Sequence, residues 1–215
     1  MRTLDYLPNT DIYLYQDKNM FRINSDTRYV GEFLCLNKED VLLDIGTNNG
    51  ALLLYANKIG CKKLIGVDIN SEAICLCNDN MELNKISNYE LYNCKVQDLE
   101  IEKVDVIVCN PPYFKNGRIN HNKNLANARH EEELTLKELV VNSKRLLKDN
   151  GKLMIVYKSC DFISVVKEMD ENGFGITRVQ FIYDMNKDNS TCVLVEAVRN
   201  KKHNTKIIKP IVITH

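Results

Sequence analysis

The stretch VLLDIGTNNGALLLYANKIGCKKLIGVD, residues 41–68, decides the fold. VLLDIG at 41–46 is a short apolar run ending in turn residues, ALLLYANKI at 51–59 has helical character, and KLIGVD at 63–68 is a second strand-like run. Strand, Gly-rich turn, helix and strand make one βαβ unit, and the alternation continues outward. SEAICLCNDNMELN at 71–84 has apolar residues at helical spacing, with Ser71 and Glu72 in its first turn. YELYNC at 89–94 and VDVIVC at 104–109 are strands. EEELTLKELVVNSKRLLKDNG at 131–151 predicts a helix, acidic at its start, basic at its end and stopped at Asn150–Gly151. KLMIVY at 152–157 is a fifth strand and DFISVVKEMDENG at 161–173 a further helix, after which ITRVQFIY and TCVLVEAV pair around MNKDNS. Upstream, an irregular start leads to a short helix from about Asp26 to Leu36, capped by Ser25 or Asp26. Uninterrupted Val/Ile/Leu strands between helices predict an α/β fold. Its sheet is doubly wound, seven-stranded and mostly parallel, buried on both faces, with an antiparallel C-terminal strand pair. Residues 1–40 form an N-terminal segment with the short helix, 41–199 the main domain, and 200–215 a basic segment packed on it.

A chain of 215 residues with 44% hydrophobic and 27% charged residues suits one soluble domain. No run approaches the roughly 18 apolar residues of a membrane span. The start MRTLDYLPNTD has acids where a signal peptide is apolar, which predicts a cytoplasmic protein. None of the eight cysteines forms a CxxC pair and no His stands at zinc-finger spacing, so the expectation is buried reduced thiols and no metal site. Lys+Arg 29 balance Asp+Glu 29, so net charge does not announce a nucleic-acid binder. The distribution says more: Lys115, Arg118, Lys123 and Arg129 stand in a segment without acids. So do Arg199, Lys201, Lys202, Lys206 and Lys209. Both segments are candidate phosphate contacts.

Ligands in doubly wound sheets bind beyond the carboxyl ends of the strands, so the residues just past each strand are informative. After the first come Asp44, Gly46, Asn48 and Gly50, a D-x-G-x-N-x-G turn that lets backbone approach a ligand beside a helix amino end. After the second stands Asp68, where an acid accepts hydrogen bonds from ribose hydroxyls. Beyond the third lies Asp98, able to accept from an adenine amine. After the fourth comes Asn110-Pro111-Pro112-Tyr113. Two prolines fix the chain direction and leave the Asn110 carboxamide oxygen and the Pro111 carbonyl facing the cleft, with the Tyr113 ring next in line. Two acceptors and a stacking face form a mould for a planar group bearing an amine.

With these motifs the chain resembles class I S-adenosylmethionine-dependent methyltransferases, in which NPPY marks enzymes that methylate exocyclic or amide nitrogens. Gln16, FRINSDTRYVGEFL at 21–34, DIGTNNG, GVDIN, CNPPYFKNG, ARHE at 128–131 and EAVRNKKHNTKIIKPIVITH at the end resemble the bacterial tRNA1(Val) adenine-37 N6-methyltransferase family. Asn48 stands where that family usually carries glycine; Asn tolerates a left-handed backbone best among other residues, so the turn is expected to survive. The resemblance implies a Rossmann-like methyltransferase fold, S-adenosylmethionine as cofactor and tRNA as partner. It places the methionine end of the cofactor over Gly46–Gly50, the ribose on Asp68, and the adenine between Ile69 and Leu99 near Asp98. The target adenine is flipped out and stacked on Tyr113, and Asn110 and Pro111 accept from its amine. Lys115, Arg118, Lys123 and Arg129 are expected to hold RNA at the cleft mouth, with Arg199, Lys201, Lys202 and Lys206 as a second anchor. Other planar nitrogens, guanine N2 of ribosomal RNA or a protein glutamine amide, fit the same mould. A non-catalytic cofactor- or RNA-binding protein would share the fold without needing NPPY.

Overall fold

A computed structural model describes residues 2–18, 20–111 and 134–214. The Val/Ile/Leu runs form parallel strands β3 (Val41–Ile45), β4 (Lys63–Asp68), β5 (Tyr89–Asn93), β6 (Val104–Cys109) and β7 (Leu147–Lys158). Helices α2 (Ala51–Ile59), α3 (Ser71–Leu83) and α4 (Leu136–Leu146) lie between them. Helix α5 (Phe162–Glu171) then leads to β8 (Phe174–Asp184) and β9 (Cys192–Arg199). The seven strands run in the order β8-β9-β7-β6-β3-β4-β5. Strand β9 is antiparallel to both neighbours, β7 and β8, and the five strands β3 to β7 lie parallel to one another, as the sequence predicts. Two short strands of the terminal segment, β10 (Lys206–Ile207) and β11 (Ile211–Ile213), extend the sheet by pairing with β8.

Both faces of the sheet are covered, because consecutive strand residues point to opposite sides. Leu42, Leu64, Val106, Val108, Met154 and Val156 pack with α2 and α3 on one face. Leu43, Ile45, Ile65, Val67, Ile107 and Ile155 pack with α4 and α5 on the other. The chain order reverses between β3 and β6, and the crevice above that pair is the topological switch point where ligands bind in such sheets.

Four local expectations are corrected. The irregular start contains a hairpin, β1 (Arg2–Tyr6) and β2 (Tyr13–Asp17), whose buried Leu14 joins the α2 side of the core. The first helix, α1 (Ser25–Phe33), is capped by Asn24, one residue before the expected cap, through its side-chain oxygen on the Thr27 amide. Helix α4 begins after Thr135, whose side chain and Glu138 form a capping box, and it ends at Leu146, well short of Asn150–Gly151. The LKDNG stretch belongs instead to β7, where Asn150 takes a φ of 62° and the register with β6 shifts between Val104 and Val106. A bulge absorbs residues that composition alone assigns to a helix end. Finally, Cys35, Cys75 and Cys160 are exposed, whereas Cys77, Cys109 and Cys192 are buried; all eight are free thiols.

Candidate active site

The D-x-G-x-N-x-G turn closes the carboxyl end of β3. The Gly46 and Thr47 amides both donate to the Val67 carbonyl, at 2.9 and 3.1 Å, which ties the turn to β4. Gly46, Asn48 and Gly50 all lie at positive φ, 74°, 48° and 78°. A Cβ at Gly46 would meet no described atom within 4 Å, so the backbone there borders open space. A Cβ at Gly50 would lie 2.6 Å from Cys77 Sγ, so Gly50 serves helix packing instead. Asn48 tolerates its left-handed backbone, as expected of this residue type. Its side chain does not cap α2; it donates to the Phe21 carbonyl at 2.5 Å and ties the N-terminal segment across the turn.

Two carboxylates frame this cradle. Asp68 accepts from the Asn48 amide and the Asn70 amide, both at 2.9 Å. Asn93 at the end of β5 donates to both the Asp68 and Ile69 carbonyls at 3.0 Å, so the corner that presents Asp68 is held from two sides. Ile69 is exposed there, an apolar surface beside an acid. Asp44 is buried beneath the turn, and its Oδ1 has no hydrogen-bond partner among the described residues, nor has Asn49 Nδ2. Burial pushes the Asp44 carboxyl up to about 7, with the Asp68 charge adding and the Thr47 hydroxyl partly opposing. An unmatched acceptor, an unmatched amide donor and an open glycine backbone together suit a zwitterionic ligand with a ribose beside Asp68.

Asp98 is exposed at the end of a short 3-10 turn, Val96–Asp98. Arg145 on α4 holds this turn by donating to the Leu99 and Val96 carbonyls at 2.8 and 2.7 Å. Leu99 itself is a correction. Its side chain is buried in the core on the α4 face, so it does not offer a surface for an adenine.

The fourth strand end carries the acceptor motif. Asn110 comes directly after β6 and is half-buried, and its Nδ2 donates to Thr27 Oγ1 at 3.0 Å. Pro111 is buried. Pro112, Tyr113, Lys115, Arg118, Lys123 and Arg129 lie outside the described residues. Helix α1 starts at this rim, with Asp26 accepting from Cys192 Sγ at the head of β9. Sequence reasoning assigned no role to Thr27, Asn24 or Asn93, although Asn24 and Thr27 sit in a quoted segment.

The terminal cations are placed less favourably. Arg199 is largely buried, donating to the Leu147 carbonyl at 2.5 Å and pairing with Asp149 at 3.4 Å, so it braces β7 and β9. That corrects its expected role as a phosphate contact. Lys201 lies against Gly175, which sits opposite Val198, itself opposite Lys152 and thus level with Val106. Lys201 and Lys202 therefore stand toward the amino ends of the parallel strands, below Asn110. Lys206 is exposed in β10 beside Arg178, and the segment climbs from there to Ile213, level with Asp184 at the carboxyl rim. Among the described residues no group of three His, Cys, Asp or Glu could hold a metal ion, and no helix is long and apolar enough to cross a membrane.

Comparison with known proteins adds an independent line. The family described as "Methyltransferase domain" matches residues 36–209. A protein of Shewanella woodyi named tRNA1(Val) (adenine(37)-N6)-methyltransferase is 28% identical over 170 residues, covering 75% of this chain and 70% of that protein. A protein of the same name from Dyadobacter fermentans is 26% identical over 200 residues, covering 91% and 82%. The crystal structure of the ribosomal protein L11 methylase of Lactobacillus delbrueckii superposes with a TM-score of 0.65 at 21% identity, covering 87% of this chain and 84% of that one, a likeness of fold.

Proposed function

The chain belongs to the methyltransferase-domain family, and from that premise we propose that it methylates the exocyclic N6 amine of an adenine in RNA, adenine 37 of tRNA1(Val), using S-adenosylmethionine. The observation that carries this reading is Asn110-Pro111 at the switch-point rim, next to a glycine cradle with Asp68 at its far side. The relatives from Shewanella woodyi and Dyadobacter fermentans support the choice of RNA and position by their names.

The cradle fits the cofactor. Gly46 leaves room for its methionine end, Asn49 and Asp44 offer an unmatched donor and acceptor, and Asp68 offers two carboxylate oxygens to a ribose. Ile69 provides an apolar wall for the adenine, and Asp98, held in place through Arg145, an acceptor for its amine. When bound, the cofactor supplies an electrophilic methyl group on a sulfonium. The protein's part is to orient the nucleophile. The Asn110 oxygen and the Pro111 carbonyl accept from the target amine and turn its lone pair toward that methyl group. Charge developing on the nitrogen strengthens both hydrogen bonds, so the stabilisation is greatest in the transition state. Positioning supplies the rest; the methylated nitrogen, strongly acidic while it bears the charge, then gives its surplus proton to water, so no base of tuned pKa is required. The target base leaves its stack at a cost of ~a few kcal/mol, and stacking on Tyr113 returns roughly 1–3 kcal/mol. Lys115, Arg118, Lys123 and Arg129 come after the acceptor pair along the chain and are the proposed backbone contacts. Arg199 is committed to Leu147 and Asp149, and Lys201 and Lys202 are poorly placed for the rim.

The test is direct. The protein is incubated with labelled S-adenosylmethionine and tRNA from a strain lacking its gene, and the RNA is digested to nucleosides. Label in N6-methyladenosine from tRNA1(Val) is the expected result; label in N2-methylguanosine, or none in tRNA, overturns the assignment.

A further inference from the structure

Resting on that reading, we infer that Thr27 is a positioning residue for the transfer: its hydroxyl fixes which way the Asn110 carboxamide faces. An asparagine works as an acceptor toward the target amine only if its oxygen, not its NH2, points into the cleft. The two orientations are nearly isosteric, so the hydrogen-bond network has to choose between them.

The choice is made by a chain of three contacts. The Thr27 backbone amide, a donor that cannot reverse, donates to the Asn24 side chain at 3.0 Å and so makes the atom it meets Oδ1. That same Oδ1 lies 3.1 Å from Thr27 Oγ1. A hydroxyl facing an oxygen acceptor commits its one hydrogen there, which leaves Thr27 Oγ1 only lone pairs for its remaining neighbour. That neighbour is the Asn110 carboxamide at 3.0 Å, and it must present its NH2. A flipped Asn110 would set oxygen against oxygen and aim its own NH2 at the amine of the substrate. The helix cap of α1 therefore reads out, two hydrogen bonds later, as the orientation of a catalytic acceptor. Helix α1 begins at the carboxyl ends of the strands, where Asp26 accepts from Cys192 Sγ.

The experiment compares wild type, Thr27→Val, Thr27→Ser and Asn110→Ala. It measures kcat and KM with tRNA from the deletion strain, S-adenosylmethionine affinity by calorimetric titration, and thermal unfolding. Valine keeps the shape and removes the hydroxyl. Thr27→Val is expected to lower kcat by about 10- to 100-fold, part of the loss seen when one transition-state hydrogen bond is removed. The tRNA KM and cofactor affinity stay within about twofold, and Thr27→Ser restores kcat to near wild type. A Thr27→Val enzyme with wild-type kcat beside an Asn110→Ala slowed by about 10²- to 10³-fold overturns the positioning role and leaves the proposed reaction standing. A kcat loss matched by equal losses in cofactor affinity and unfolding temperature marks a structural role and overturns it too. Wild type that transfers no methyl group removes the reaction and the inference together, and Asn110→Ala that transfers at the wild-type rate removes Asn110 from the mechanism and the positioning role of Thr27 with it.

Discussion

Replacing Gly46 and Gly50 separately by alanine separates what one turn does for the ligand from what it does for the fold. Both residues have positive φ, 74° and 78°, so each alanine carries a left-handed penalty of about 1–2 kcal/mol. The surroundings differ. At Gly50 the new Cβ would lie 2.6 Å from Cys77 Sγ and 3.0 Å from Met81 Cε, both side chains fully buried. Overpacking of that kind adds about 1–3 kcal/mol, so Gly50→Ala should lose about 2–5 kcal/mol in all. At Gly46 the Cβ meets no described atom within 4 Å, and only the backbone term remains. Its methyl group projects instead into the space proposed for the cofactor. Urea unfolding and titration with S-adenosylmethionine read the two effects apart. Gly46→Ala should keep most of its stability and bind the cofactor at least about tenfold more weakly, a loss of about 1.4 kcal/mol. Unimpaired binding by Gly46→Ala would refute the cradle, and equal destabilisation of the two variants would refute the steric argument.

The geometry implies three further outcomes. Burial raises the Asp44 carboxyl from 3.8 to about 7, so the folded protein keeps a proton that the unfolded chain has already released. Stability should therefore fall as pH rises from about 4 to about 7, by up to about 4 kcal/mol from this group, and Asp44→Asn should flatten that slope in urea titrations across the window. Asn48→Gly keeps the left-handed turn but deletes the bond to the Phe21 carbonyl. Proteolysis should then cut near residues 18–24 faster, with a stability loss of about 0.5–1.5 kcal/mol. Arg199→Ala should destabilise by about 1–3 kcal/mol through its buried contacts to Leu147 and Asp149, with tRNA affinity per folded molecule unchanged in filter binding.

What could be read in the sequence divides along physical lines. The strands and their mostly parallel arrangement were legible because fully buried parallel strands must be apolar throughout, as in VLLDI and VDVIVC, and because helices between them leave few topologies. The turn from Asp44 to Gly50 and the place of Asp68 at the end of β4 were legible because a tight left-handed turn between strand and helix needs Gly or Asn at particular positions. The N-terminal hairpin was missed: its strands are only five residues each, Leu4 and Tyr6 are exposed instead of facing a core, and Tyr13-Leu14-Tyr15 breaks the alternation of apolar and polar residues. The end of α4 was misplaced because KDNG reads as a helix stop, whereas a bulge against β6 had already drawn those residues into β7. Leu99 looked like a ligand wall from its place after a strand, but only packing reveals that it turns inward. Arg199 looked like a free cation because sequence does not show that Asp149 and the Leu147 carbonyl meet it. Thr27 gave no signal of its own, since a contact across 83 positions depends on the finished fold.

The most direct measurement is methyl transfer by Asn110→Ala set beside its affinity for S-adenosylmethionine. A cofactor affinity within about twofold of wild type, with kcat lower by about 10²- to 10³-fold, is what an acceptor acting on the transition state requires. Transfer at the wild-type rate by a variant without that carboxamide would contradict the account.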